Sequence, residues 1–185
     1  VYVSRGIEYD IDIKRGVKIE PGSAVQIFGQ IQRVVDTTNY ISADLHIHSG
    51  NSLDASLDLD GRVISGASEG LEIAVATDHN FVTDYAPAIS RNGLGDWMSS
   101  MIGVELSTLE MGHFNAFPLE YTISSSSRFP FVEHCYLENE DKVNETAFDW
   151  VECNPAQLFD KLRRLRPEER SYYSTLIQVN HARDS

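Results

Sequence analysis

The chain has 185 residues, with 15 Lys+Arg against 28 Asp+Glu, and a formal net charge of −13. Hydrophobic residues at 42% and charged residues at 23% describe a globular protein of one medium domain, or one domain with a small appendage, rather than a disordered chain. The acidity argues against a broad basic surface for nucleic acid or anionic lipid, and no apolar run approaches the ~20 residues that span a bilayer.

Residues 1 to about 40 read as β structure. Ile7, Tyr9, Ile11 and Ile13 alternate with polar residues, the period of a half-buried strand. Pro21-Gly22 marks a turn. Val25 and Ile27 then resume the alternation, Gly29 is a candidate bulge, and Ile31 and Val35 follow. This segment holds no histidine, and its expected role is architectural: two or three strands at the end of a preceding β domain, or a flap on the main one. From about residue 41 the texture changes. Short apolar runs recur at Ile41–Ile47, Leu71–Thr77, Met101–Val104, Phe114–Phe117 and Leu176–Val179, separated by Gly-rich or helical stretches. Leu59–Gly70 is expected as a short helix, with Tyr85–Ser90 and Asp96–Ser100 as a helical turn or more each. Residues 121–153 form a long acidic loop with a Ser124–Ser127 run. Asn154-Pro155 starts a helix, with Leu158, Phe159, Leu162 and Leu165 at helical spacing and Pro167 as its stop. Strands alternating with helices predict an α/β domain over 41–185, with parallel strands favoured.

Two cysteines, Cys135 and Cys153, show no CxxC spacing. Two unpaired thiols are expected, with a disulfide as the alternative because both lie in one connecting region. The chain begins with Val1 rather than Met and shows no signal-peptide pattern, which reads as a processed chain or a piece of a longer one. Compartment stays open between bacterial cytoplasm and export or periplasm, and an integral membrane protein is not expected.

The chemistry lies in the six histidines. His46 and His48 close one apolar run, His79 follows the next by way of Asp78, Glu105 ends the third, His113 opens the Phe114 run and His181 ends the last. If the strands are parallel and form a barrel, their C-terminal ends converge on one face, where such folds build their sites. In His46-Ile47-His48, alternate residues project to one face of a strand, which suits two ligands on one ion. Alone, such a pair is explained as readily by surface or core histidines. Five histidines at strand ends together with Glu105 favour a metal, and imidazole plus carboxylate without thiolate suits Zn, Mn or Fe. His134 fits no pattern and is expected to be solvated.

Ala43-Asp44-Leu45-His46-Ile47-His48-Ser49, then Thr77-Asp78-His79, then Gly103-Val104-Glu105 resemble the successive motifs of the polymerase-and-histidinol-phosphatase (PHP) family. Gly112-His113-Phe114-Asn115-Ala116-Phe117 and Asn180-His181 resemble its carbaryl-hydrolase-like (CehA/McbA-type) branch. The resemblance covers residues 41 to 185, with a weaker match before them. It implies a PHP-type distorted (β/α)7 barrel holding two or three divalent metal ions. His46 and His48 would hold the first, Glu105 would bridge it to a second completed by His113 and His181, and Asp54 with His79 would serve a third. For Asp54 a helix-capping role is the alternative. Asp44 and Asp78 would orient imidazoles from behind.

The chain departs from the family after His181, where the closing Asp-x-His pair is missing, and the residues from Ile41 onward are fewer than the ~200–250 of a closed barrel. An incomplete domain is therefore expected, with the first and third metal sites short of a ligand and apolar strand edges open to association. The function implied is metal-dependent hydrolysis, in which a metal-bound hydroxide cleaves a small phosphoester, or a carbamate or carboxylic ester. Glu105 would organise the metals, His79 or a bound water would protonate the leaving group, and Arg183 would contact an anionic substrate, an ordinary surface arginine being the alternative. A nuclease or editing role is disfavoured by the charge. The rival from another class is a non-catalytic metal-binding or structural module of a larger protein. Substrate choice would lie in the loops at 80–100 and 121–153.

Overall fold

In a computed structural model of the chain, residues 1–108, 111–120, 153–164, 171 and 174–181 are described. The N-terminal segment holds less β structure than its pattern suggests. β1 (Tyr2–Val3) and β2 (Asp12–Ile13) pair antiparallel, and a single bridge joins Tyr9 to Arg33. Ile7 is 95% exposed, and Ile11, Ile13 and Val25 are also exposed. An alternating pattern specifies a strand only where one face can be buried, and among the described residues no second layer covers these side chains. The segment is tied instead by carboxylates that accept backbone N–H bonds, Asp12 from Gln30 at 2.9 Å and Asp10 from Gln32 at 2.6 Å. The turn at Pro21-Gly22 forms as expected. Ser23 N–H donates to the Glu20 carbonyl at 3.1 Å, and Gly22 takes φ +76°, the arrangement of a type II turn.

Three strands, β3 (Ala43–Ile47), β4 (Ile73–Ala76) and β5 (Ser99–Met101), form a parallel sheet in the order β3-β4-β5. The crossovers carry α1 (Leu59–Ser68) and α2 (Ala86–Arg91), as parallel connections require. Asp58 caps α1 by accepting the Gly61 N–H at 2.7 Å. Asp96–Ser100 is not helical. A turn ends near Trp97 and the chain enters β5, where pairing with β4 overrides local preference.

The run Met101–Val104 is split between two sheets, and Gly103 is the reason. A β-carbon there would lie 2.7 Å from the Ala76 carbonyl oxygen and 2.9 Å from that of Ala116, so only glycine lets the two backbones approach. Beyond it β6 (Val104–Ser107), β7 (His113–Phe117) and β8 (Leu176–Asn180) form an antiparallel sheet, contrary to the parallel strands expected. The connection from β6 to β7 is too short for a crossover and can only be a hairpin. Backbone bonds sew the sheets together, from Asn80 N–H to the Glu105 carbonyl at 2.8 Å and from Glu105 N–H to the Asp78 carbonyl at 3.0 Å.

α3 (Pro155–Arg164) opens with reciprocal capping. Asn154 accepts from Gln157 N–H at 3.1 Å, and the Gln157 side chain accepts from Asn154 N–H at 3.0 Å. Leu158 and Leu162 pack with Val104, Leu106, Phe114 and Ala116 in one core. A second core lies between the parallel sheet and its helices, around Ile47, Val63, Ala74, Tyr85 and Ile89. Cys153 is buried and disulfide-bonded, so the expected free thiol is not found there, and Cys135 lies outside the described residues. Among the described residues the strands form three separate sheets, and none is closed.

Candidate metal centre

Glu105 sits in the middle of β6, fully buried, and its two carboxylate oxygens gather side chains from both sheets. His46 Nε2 lies 3.1 Å, His48 Nε2 2.9 Å and His79 Nδ1 3.2 Å from Oε2. His113 Nδ1 lies 3.0 Å from Oε1, which also accepts a bond from Asn180 Nδ2 at 3.2 Å. Asp54, in the loop after β3, is half exposed and faces two of these imidazoles, His48 Nδ1 at 3.1 Å and His79 Nε2 at 3.4 Å. His79 Nδ1 is in addition hydrogen-bonded to Ser107 Oγ.

Local structure explains these positions. β3 carries one more residue between Asp44 and Ile47 than β4 does opposite, a bulge that re-aims the strand just before His48. The loops after β3 and β4 are clamped by Asp78, which accepts from Ser49 N–H at 2.5 Å, from Ser49 Oγ at 2.7 Å and from the Thr83 hydroxyl. Asp78 thus holds loops together and contacts no imidazole. Asp44 likewise accepts the backbone N–H of His46 at 3.0 Å rather than a ring nitrogen. Both acids support the histidines through the main chain.

The antiparallel sheet supplies a polar face that its sequence does not advertise. Glu105 pairs with Asn115 and Ser107 with His113, while His113 pairs with Asn180 and Asn115 with Gln178. Cross-strand neighbours share a face, so these six polar residues lie together while Leu106, Phe114, Ala116 and Ile177 alternate with them. Ser107 and Gln178 are site residues outside the quoted motifs, and Asn115 and Asn180 lie within them without an assigned role. Their signal is the repeated polar-x-polar spacing, Glu105-x-Ser107, His113-x-Asn115 and Gln178-x-Asn180.

Five imidazoles ring the carboxylate. Successive ring centroids are 5.0 Å apart for His46–His48, 4.5 Å for His48–His79 and 5.2 Å for His79–His113, and 5.7 Å for both His113–His181 and His181–His46. His181 follows β8 with φ +44° and is exposed. Among the described residues, donor atoms close enough to share an ion occur in three sets: His46, His48 and Glu105; His48, Asp54 and His79; His79, Glu105 and His113. His181 joins none of them. His134 and Arg183 lie outside the described residues.

Electrostatics follow from this crowding. Burial would raise the Glu105 pKa, yet the charge of His79 and the hydrogen bonds from His46 and Asn180 hold it below the usual carboxylate value. Burial pushes the His79 imidazole down, against the opposing pull of Glu105. Asp54 is lowered to about 2, burial being outweighed by bonds from Ser52 and His48. A carboxylate oxygen offers two lone pairs, and three imidazole nitrogens converge on Oε2. Ligands about 2.0–2.2 Å from one tetrahedral ion lie about 3.3–3.6 Å from each other, a few tenths of an ångström beyond the 2.9–3.2 Å found here. The donor set is compatible with a divalent metal ion and does not specify which.

No protein-family profile matches the chain, and no curated protein matches it. Among the described residues no helix is long and apolar enough to cross a membrane.

Proposed function

We propose that the chain is a metal-dependent hydrolase of the PHP type, acting on a small phosphoester, carbamate or carboxylic ester. The observation that carries this reading is the fully buried Glu105 carboxylate with four imidazole nitrogens against it. His46, His48, Glu105, His79 and His113 would hold the ions, with Asp54 on the exposed side and His181 closing the ring. Bound divalent ions supply Lewis acidity and lower the pKa of water. The chain's own groups then have separate tasks. Glu105, kept ionised, fixes the donors and moves no proton. His79, whose charged form burial disfavours, would serve as a ligand or as the group that protonates the leaving group. Asn180 and Ser107 hold Glu105 and His79 in place. The order of motifs from Ala43 to His181 also supports a (β/α)7 barrel of this family.

Elemental analysis tests the first half of the reading. About one or more Zn, Mn or Fe per chain, lost in His46→Ala/Glu105→Ala, is expected. Hydrolysis of generic phosphomonoester, phosphodiester and carboxylic-ester substrates by the loaded protein tests the second. A chain that holds metal and turns over none of them would sink the hydrolase reading in favour of a metal-binding module.

A further inference from the structure

Asn115 is wholly buried on β7, directly opposite Glu105 of β6. Its Nδ2 donates at 3.1 Å to the carbonyl of Leu45, 70 residues away in sequence. Leu45 lies in the bulge of β3, where the ladder to β4 slips by one residue, and His46 follows it directly. β3 stands at the edge of its sheet, so β4 holds it from one side only. Two further ties near His46 come from the parallel half itself. Asp44 accepts from His46 N–H at 3.0 Å, and Thr77 Oγ1 accepts from Ile47 N–H at 2.8 Å. Asn115 adds a tie from the antiparallel half.

Stability alone is a poor account of this amide. Its Oδ1 is buried with no hydrogen-bond partner, so two polar atoms are desolvated for a single bond. An apolar side chain of similar volume would avoid that cost. Leu45 is itself exposed, so water can replace the donor its carbonyl would lose. We propose that Asn115 is a positioning residue, which holds the β3 bulge so that His46 and His48 face Glu105. Cross-strand register fixes Asn115 beside Glu105, and one hydrogen bond then sets the gap between that carboxylate and both imidazoles. Its effect on bound metal rests on the hydrolase reading above, whereas the tie itself is a property of the metal-free chain.

Backbone hydrogen exchange of the metal-free full chain, followed by NMR, tests the tie. In Asn115→Leu the His46 and Ile47 amides should exchange about fivefold faster or more, while those of β8 keep the parent's rates. The variant should melt close to the parent. Competition with a chelator tests the consequence, and metal affinity should fall about 10–100-fold. Asn115→Ala, which removes the amide without adding bulk, reads the same quantities if the leucine variant does not fold. Selective exchange in β3 of a chain that binds no metal would support the tie and refute the metal reading. Exchange that is unchanged in β3, or faster throughout both sheets, would overturn the positioning role. So would undiminished metal affinity, or loss of folding in both variants.

Discussion

The two main sheets build one site by different means. The parallel sheet delivers its histidines at strand ends, with His46 and His48 closing β3 and His79 just past β4, because helices cover its face. The antiparallel sheet delivers Glu105, Ser107, Asn115 and Gln178 from the strands themselves, on the face opposite the one that packs against Leu158 and Leu162 of α3. Strand ends aim ligands through the loops that follow them, here clamped by Asp78, whereas a strand face sets them by register. Glu105, wholly buried with four imidazole nitrogens against it, is the anchor of the cluster.

The strongest way to break this division is Glu105→Gln, which keeps size but removes the charge and turns one acceptor oxygen into an NH2 donor. Metal affinity should fall by more than ~100-fold, beyond the 10–100-fold typical of outer-shell partners, while His46→Ala costs less because other imidazoles remain. Equilibrium competition with a chelator reads both, and equal losses would contradict the anchor role. Acid should act in the same direction on the metal-free chain. His79 is lowered in the folded state, so its contribution to stability is complete above its ordinary value near 6.5 and declines as pH falls below it. Glu105, also lowered, contributes above its ordinary value near 4.3 and loses that contribution as pH falls through its folded value. A melting temperature that falls from pH 7 to 5, then more steeply below about 4.5, is expected. A flat profile would contradict both shifts.

Next in size is the core behind the anchor. Leu158 is fully buried against the apolar side of β6 and β7, and Leu158→Ala should cost about 2–5 kcal/mol in urea unfolding. If the antiparallel half fixes Glu105, this distant truncation also loosens metal binding. Destabilisation with unchanged affinity in the folded protein would show that register alone suffices.

The parallel half was the more legible of the two. An HxH pair ending an apolar run, Asp78-His79 ending the next and helix signals between them announce strand-end chemistry, and α1 and α3 lie where Asp58 and Asn154-Pro155 start them. The antiparallel half hid its role, because nothing local encodes which strand β8 joins or in which direction. Gln178 and Asn180 in isolation look like ordinary polar positions, and only pairing with β7 turns them toward Glu105. The N-terminal segment misled for the converse reason. Its alternation is regular, but periodicity cannot reveal that no layer covers Ile7 or Ile11. Gly103 likewise reads as a motif residue until the carbonyls of Ala76 and Ala116 are seen beside it.

Asn180→Ala sharpens the comparison at a smaller scale. Its amide donates to Glu105 Oε1 and in turn accepts from Gln178 Nε2 at 2.9 Å. Removing it should cost about 10–100-fold in metal affinity with little change in melting temperature. Asn180→Asp, which places a carboxylate beside a carboxylate, should do worse than alanine. An alanine variant indistinguishable from the parent would remove Asn180 from the site.

The smallest effect tests whether the two halves are one cooperative unit. Asp58 alone caps α1, whereas Asn154 and Gln157 cap α3 reciprocally. Asp58→Ala should cost about 1 kcal/mol by leaving a first-turn N–H of α1 unpaired. α1 packs in the parallel sheet's core, yet the Glu105 backbone is hydrogen-bonded to Asp78 and Asn80 across the seam. Urea unfolding followed by histidine ring NMR should then show His48 and His113 losing their folded signals at one shared midpoint, lowered equally in the variant. If only His48 moved, the seam would be weaker than the sheets it joins. The strand ends would then open without disturbing the strand face, and the two halves of the cluster would differ in stability as well as in construction.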